Sequence, residues 1–509
     1  MIRKPRLRLK VAALFFVSAM ILTIVAAYAN EKKAEETTPV KETNAIVDPI
    51  KTDSGLISGM VLGDAGKGVR AYRGIPYAAP PVGVLRWKPP QPVQPWTGVR
   101  ECTAFSAVSP QTARPGQILP KMSEDCLYLN VVTPAKKTSD RLPVMVWFHG
   151  GGLAEDSGNR ERFNREYLAQ KGVVTVAVTH RLGALGYMAH PLLSRESEHG
   201  VSGNYGTLDL IAALKWVQKN IAAFGGDPDR VTIFGESGGG VKTTAMMASP
   251  LAKGLFQRAI IQSGSYQFLP DASRPLKNAE TLGEKMAVAL GVDKDADVLA
   301  SMRMKSWNEI LEAGNKDTEL DGMSLADLTV DGWVLPDQVY NIFQSGKQND
   351  ASLIIGASKS ENAMFKDISI GASSTNKGNS KAYVYVFNHM PSNWKKEGAI
   401  PPHGMFMIYA FRDIDGLKPF FSDMAFLMNG FRTPGSPDLI VPKNSDPGIT
   451  DTDYKVSDAI MTMWTKFAAT GNPSIEDLVS WPAYDSRNPQ CLEIKEPLEV
   501  KPWNESAFK

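Results

Sequence analysis

From about residue 54 onward, short runs of consecutive apolar residues recur without the polar alternation of a half-buried strand. Residues 142–148, 173–178, 231–234, 258–261 and 352–355 are of this kind, and 383–387 is also strand-like. A strand that is apolar on both sides is buried on both faces, as in a parallel sheet covered by helices. Between two of these runs, 205–224 carries Leu208, Ile211, Leu214, Val217 and Ile221, and Gly225-Gly226 closes it. Apolar positions three or four apart predict a helix with one buried face. There is no internal repeat and no second linker rich in proline or glycine. The pattern predicts one large α/β domain over 51–509, with a mostly parallel central sheet and helices on both faces.

The N-terminus has a different pattern. Arg3, Lys4, Arg6, Arg8 and Lys10 precede an apolar stretch at 11–27, and Ala27-Tyr28-Ala29 then meets Asn30-Glu31-Lys32-Lys33. A basic start, an apolar middle and small residues at a cleavage site are the three parts of a secretory signal peptide. Residues 1–29 are therefore expected to be removed after Ala29. The alternative is an uncleaved anchor, since the apolar stretch nearly reaches the ~20 residues that span a bilayer. Residues 30–50 are polar and read as a flexible lead-in. The mature protein is expected to be soluble, secreted or periplasmic, without a stable membrane span, in a compartment that permits disulfides.

Composition narrows the function classes. Lys+Arg number 56 against 54 Asp+Glu, but five of the bases lie in the first ten positions, which leaves 51 against 54 beyond them. A chain without basic excess is a poor partner for nucleic acid. Three cysteines in 509 residues are too few for a disulfide scaffold, and none form a CxxC pair. What remains is a soluble globular protein, and an enzyme is the expectation.

The chemistry concentrates at Gly235-Glu236-Ser237-Gly238-Gly239, where the run 231–234 meets a plausible helix. Gly-x-Ser-x-Gly arises by chance in a Gly-rich chain. Between a strand and a helix it is the nucleophile elbow, a turn too tight for side chains at its flanks. A serine nucleophile needs donors for the oxyanion of its tetrahedral intermediate. His149-Gly150-Gly151-Gly152 directly follows the run ending at Phe148; its backbone N–H groups, with that of Gly238, are candidates. In the order Ser…acid…His the base must follow Ser237, which leaves His389 and His403 of six histidines. His403, in the loop Pro401-Pro402-His403-Gly404, is the better placed, because triad histidines ride on loops at strand ends; His389 closes a strand-like run. Glu361, just past the run 352–355, is a candidate for the acid that orients the imidazole. It also reads as an ordinary surface carboxylate.

With these residues in view the chain resembles the type-B carboxylesterases, the family of bacterial para-nitrobenzyl esterases, animal carboxylesterases and cholinesterases. The resemblance covers roughly 54–505. It is carried by Gly74-Ile75-Pro76-Tyr77-Ala78, Glu124-Asp125-Cys126-Leu127, Arg181-Leu182-Gly183-Ala184-Leu185-Gly186, Gly203-Asn204-Tyr205-Gly206, the elbow, Gln262-Ser263-Gly264 and Trp464-Thr465-Lys466-Phe467. It implies an α/β-hydrolase fold with Ser237 as nucleophile, Glu361 as acid and His403 as base. Gly151 and Gly152 would join Gly238 as oxyanion donors, and Glu236 would be a buried carboxylate behind the triad. The implied substrate is a small-molecule ester, and no metal or organic cofactor is needed.

The chain also departs from the family pattern. Glu361 and His403 are only 42 residues apart, which implies that helices shielding the cleft are missing, with the longer segment 412–451 placed to cover it. The family's His-Gly-x-Glu reads His403-Gly404-Met405-Phe406 here, so a carboxylate near the base is lost. The first cysteine of the usual disulfide would fall near Ser109, whereas this chain carries Cys102. A Cys102–Cys126 bridge is the expectation, with an entropic contribution of roughly 3 kcal/mol; Cys491 is left as a buried thiol. No tryptophan lies in 103–125, which argues against choline esters. Met122, Leu153, Met405, Phe406 and Met407 either line an apolar pocket or pack the core. The competing functions are a non-catalytic binding protein on the same fold and a hydrolase of amides, lactones or carbamates.

Overall fold

The apolar runs become neighbours in one eleven-stranded sheet. In chain order its first strands are β1 (Met60–Leu62), β2 (Val69–Pro76), β3 (Tyr128–Thr133), β4 (Leu142–Phe148), β5 (Val174–Val178) and β6 (Gly226–Glu236). Then follow β7 (Arg258–Gln262), β8 (Ser352–Ser358), β9 (Ala382–Phe387), β10 (Gln490–Ile494) and β11 (Glu499–Pro502). Across the sheet the order is β11-β10-β9-β8-β7-β6-β4-β5-β3-β2-β1. Every pairing from β5 to β10 is parallel, and the strands outside that block pair antiparallel. The structure is a computed structural model that describes residues 45–63, 68–113, 120–164, 166–317, 319–320, 322–376, 378–417, 440, 442–443 and 445–504. The described residues from Ile46 onward gather into one compact unit.

Successive side chains of a strand point to opposite faces, and both faces are covered. On one, Val144, Val146, Val231 and Ile233 pack with Leu208, Ile211, Leu214 and Val217 of helix α1 (Tyr205–Asn220). Val241 and Ala245 of α2 (Gly238–Ala248) and Ile368 of α3 (Phe365–Thr375) join the same core. On the other, Met145, Trp147, Phe234, Ile260 and Tyr385 pack against α4 (Met405–Ala410) and α5 (Asp451–Thr470). This double cover is why the central strands lack polar alternation. The predicted helix ends as its glycines suggest: α1 runs into a 3-10 turn, Ile221–Phe224, and Gly225 closes it at φ 75°.

The parallel register aligns the carboxyl ends of four strands. Phe148 pairs with Gly235, while Gln262 pairs with both Glu236 and Gly356. The loops leaving β4, β6, β7 and β8 therefore emerge side by side, where ligands bind in α/β sheets.

Two expectations are corrected. The polar lead-in ends before residue 50, because Ile46 and Ile50 are buried, the Ile46 N–H donates to the Lys136 carbonyl, and Ile50 pairs with Ile57. The Cys102–Cys126 bridge is not formed, and Cys102, Cys126 and Cys491 are all free buried thiols. The Cys102 backbone is tied to neighbouring strands, donating to the Ser58 carbonyl at 2.8 Å and accepting from the Arg73 N–H at 2.7 Å. The group facing the Cys126 thiol is the hydroxyl of Ser109, where the family's other cysteine would stand. Burial pushes the Cys102 thiol up to about 11 and that of Cys126 further. The signal segment 1–29 and most of 412–451 lie outside the described residues. No described helix is long and apolar enough to cross a membrane.

Candidate active site

Ser237 stands between the end of β6 and the start of α2 with φ 56° and ψ −121°, a conformation that non-glycine residues seldom adopt. Close packing holds it there. A Cβ at Gly235 would overlap the Gly239 backbone, and one at Gly238 would overlap that of Gly152. The Ser237 N–H donates to the Gln262 carbonyl at 2.8 Å. Its side chain is half-buried while its neighbours on both sides are buried.

Glu361 is buried, and so not the surface carboxylate its residue type suggests. It sits in the 3-10 stretch Lys359–Met364 that leaves β8. Its Oε2 accepts from the Ser358 N–H at 2.8 Å and the Ser263 hydroxyl at 2.6 Å, and its Oε1 lies 2.5 Å from His403 Nδ1. A carboxylate only accepts, so Nδ1 carries the proton and Nε2 of the neutral ring is left as the acceptor. Burial opposes the Glu361 charge. The positive charge His403 takes up and the bonds from His403, Ser263 and Ser358 outweigh it, holding the carboxyl below the usual carboxylate range. His403, itself buried, is carried on the loop before α4, and its Nε2 lies 3.4 Å from Oε1 of Glu236, the residue preceding Ser237.

Glu236 is buried in the same place with the opposite outcome. Burial first, opposed by His403 and reinforced by the charges of Glu361 and Asp156, pushes its carboxyl up to about 7. The two carboxylates thus have their ionisation driven apart. His389, the other candidate base, is elsewhere: its Nε2 meets Asp453 Oδ1 at 2.9 Å in the core beside α5.

The His149–Gly152 loop lies against the elbow. Gly151 and Gly152 adopt φ 77° and 60°, Gly152 packs on Gly238, and Gly150 borders the Glu236 carbonyl and the Ser237 Cβ. Among the described residues, no protein acceptor takes the N–H of Gly151, Gly152 or Gly238. The apolar candidates divide. Leu153, Met405 and Phe406 are core, with Phe406 packed on Tyr385, Phe387 and Trp464, while Met122 and Met407 are half-buried. A cavity of about 800 Å³ beside α1, lined by Trp333, His199 and Lys215 among others, touches none of the site residues. Among the described residues no group of three or more His, Cys, Asp or Glu side chains is spaced to hold a metal ion.

Sequence reasoning missed the two serines that hold Glu361. Ser358 had a legible signal, the Ser-x-x-Glu spacing of a capping box. Ser263 had only its place in Gln262-Ser263-Gly264.

A family profile described as the carboxylesterase family matches residues 47–377 and 366–507. The chain belongs to the carboxylesterase family. This carboxylesterase is 33% identical over 520 residues to carboxylesterase 1E of Mus musculus, covering 87% of this chain and 90% of that one. It is 30% identical over 511 residues to the para-nitrobenzyl esterase of Bacillus subtilis (strain 168), covering 89% and 96%. To the fumonisin B1 esterase of Sphingopyxis macrogoltabida it is 40% identical over 326 residues, which cover 62% of this chain and 56% of that protein. A solved PNB esterase superposes with a TM-score of 0.73 at 28% identity, covering 90% of this chain and 98% of that one. The fold is that of the α/β-hydrolases, and the family hydrolyses small-molecule carboxylic esters as serine hydrolases.

Proposed function

We propose that this carboxylesterase is exported and cleaves its ester through an acyl-enzyme on Ser237, with His403 as general base and Glu361 as the acid that orients it. The observation that carries this is the Glu361–His403 contact of 2.5 Å beneath the elbow, with the other edge of the ring turned toward the residue before Ser237. In the first half-reaction His403 Nε2 takes the Ser237 proton as the hydroxyl oxygen attacks the ester carbonyl. Glu361 balances the imidazolium that forms. The carbonyl oxygen, now an anion, receives the N–H groups of Gly151, Gly152 and Gly238, each such donor being worth about 2.7–4 kcal/mol in the transition state. His403 returns the proton to the leaving alcohol, and water attacks the acyl-enzyme by the same path in reverse.

Export rests on the basic, apolar and Ala-x-Ala pattern of the first 29 residues. A substrate panel of alkyl and aryl esters, an amide, a lactone, a carbamate and fumonisin B1 separates the specificity classes; the last is included because of the fumonisin B1 esterase relative. The triad is tested with Ser237→Ala and His403→Ala on para-nitrophenyl butyrate. Both are expected to lose turnover by at least about 10³-fold with melting temperatures near the parent's. Retained turnover in folded Ser237→Ala removes that serine from the mechanism.

A further inference from the structure

The oxyanion loop rests on a buried lysine. Lys242, five residues beyond Ser237 on α2, is 1% exposed, and its Nζ donates to the carbonyls of His149 at 2.8 Å and Gly150 at 3.3 Å. The Gly150 carbonyl also lies 3.0 Å from His149 Nδ1. A carbonyl only accepts, so that ring nitrogen carries a proton.

These contacts set the direction of a donor. The Gly150 C=O and the Gly151 N–H belong to one planar trans unit and point opposite ways. Two donors gripping the Gly150 oxygen therefore fix the heading of the Gly151 N–H. In the next unit the Gly151 carbonyl is gripped by the N–H groups of Ala154 at 3.2 Å and Glu155 at 3.0 Å, which fixes the Gly152 N–H. The third donor, Gly238, opens the helix that carries Lys242. Helix α2 thus holds both sides of the oxyanion site, one through its first N–H and the other through Lys242.

We propose that Lys242 is a positioning residue for ester hydrolysis: its grip on the His149 and Gly150 carbonyls aims the Gly151 N–H at the developing oxyanion. The proposal rests on the acyl-enzyme mechanism and oxyanion donors described above. A lysine is a costly residue to bury, and the acceptors that Nζ of Lys242 finds here are two backbone carbonyls. Burial draws its amine down to about 7, with the Asp156 charge pulling the other way. The rings beside it, His149 and His180, are fully buried, and burial with the Lys242 charge holds both well below the usual imidazole value. The Lys242 amine has N–H donors for both carbonyls whether or not it carries its third proton, so its grip on the loop rests on this geometry.

The test uses the full chain as parent, Lys242→Met and Lys242→Gln, each checked for folding by its thermal transition. Two readouts are taken: kcat and KM on para-nitrophenyl butyrate, and the Ki of an aryl trifluoromethyl ketone, which forms a tetrahedral oxyanion on the serine. For Lys242→Met, kcat and kcat/KM are expected to fall together by about 10²-fold, the scale of losing one oxyanion donor. KM should stay within about threefold and the ketone Ki should rise in parallel. Lys242→Gln, one bond shorter with an N–H donor but no charge, is expected to lie between. Where Lys242→Met does not fold, Lys242→Gln is judged by the same criteria. A folded variant with kcat and ketone affinity within about threefold of the parent, or with only KM raised, overturns the proposal. Fluorophosphonate labelling of the parent separates the two levels. Label on Ser237 with an indifferent Lys242 variant overturns the lysine role alone, whereas absence of label overturns the acyl-enzyme mechanism and the lysine role together.

Discussion

Changing Glu361 to glutamine tests the site through a proton position. Glutamine has the shape of glutamate, but one of its two terminal atoms is a donor. In the parent, Oε2 accepts two hydrogen bonds, from the Ser358 N–H at 2.8 Å and the Ser263 hydroxyl at 2.6 Å. The Ser358 N–H cannot accept, so the amide oxygen of Gln must take the Oε2 position and its NH₂ the Oε1 position. That NH₂ then faces His403 Nδ1, which lies 2.5 Å from Oε1 in the parent. The ring can meet it only by giving up the proton on Nδ1 and carrying it on Nε2, where it can no longer accept from Ser237. The opposite flip saves the tautomer but sets an NH₂ against the Ser358 N–H, at a cost of about 1–3 kcal/mol for a buried donor left unpaired. Forcing the wrong tautomer in a serine triad costs about 10⁴ in kcat, or about 5 kcal/mol at 1.36 kcal/mol per decade. The assay is kcat on para-nitrophenyl butyrate at pH 8, beside the thermal transition. The expected outcome is a loss of about 10³–10⁴-fold with KM little changed and the fold intact. A folded Glu361→Gln variant within about tenfold of the parent would refute the reasoning, since Glu361 would then not set the His403 tautomer.

Four further outcomes are expected. An imidazole base works only when unprotonated, so kcat/KM should fall toward acid pH by about one decade per unit; a rate flat from about pH 5 to 8 with chemistry limiting contradicts the role of His403. Glu236 is raised from 4.5 to about 7, so the stability tied to its neutral form is present below 4.5 and lost as pH rises through about 7. Glu236→Gln cannot ionise and should melt higher than the parent at pH 8.5, with the difference shrinking as pH falls and gone below about pH 4; a pH-independent difference contradicts this. Finally, the denatured, unreduced protein should titrate with three thiols, where a Cys102–Cys126 bridge would leave one. Ser109→Cys, facing Cys126, should form a reducible bridge worth about 3 kcal/mol.

The central sheet was legible in the sequence because strands buried on both faces cannot alternate apolar and polar residues. The elbow and the glycine loop were legible because each is a backbone device, and only glycine permits the close approach of Gly238 to Gly152. The candidate base was less so. His389 and His403 each meet a buried carboxylate, Asp453 at 2.9 Å and Glu361 at 2.5 Å, and only the tertiary arrangement decides which lies beside the elbow. Ser263 reaches Glu361 across 98 residues and Lys242 reaches His149 across 93, separations at which a local pattern carries no signal. The disulfide expectation failed for the same reason. The family resemblance and the expected export suggested the bridge with Cys102 as a substitute for the usual first cysteine, but Cys102 pairs through its backbone with residues 58 and 73, and Ser109 faces the Cys126 thiol.

The most direct test of the account is fluorophosphonate treatment of the folded protein, with the adduct located by peptide mass and turnover followed in the same sample. A nucleophile raised at the elbow and activated by His403 predicts one adduct per chain, on Ser237, with para-nitrophenyl butyrate hydrolysis lost in proportion. A folded protein that takes no label and turns over no ester, or that takes the label at another residue, contradicts it.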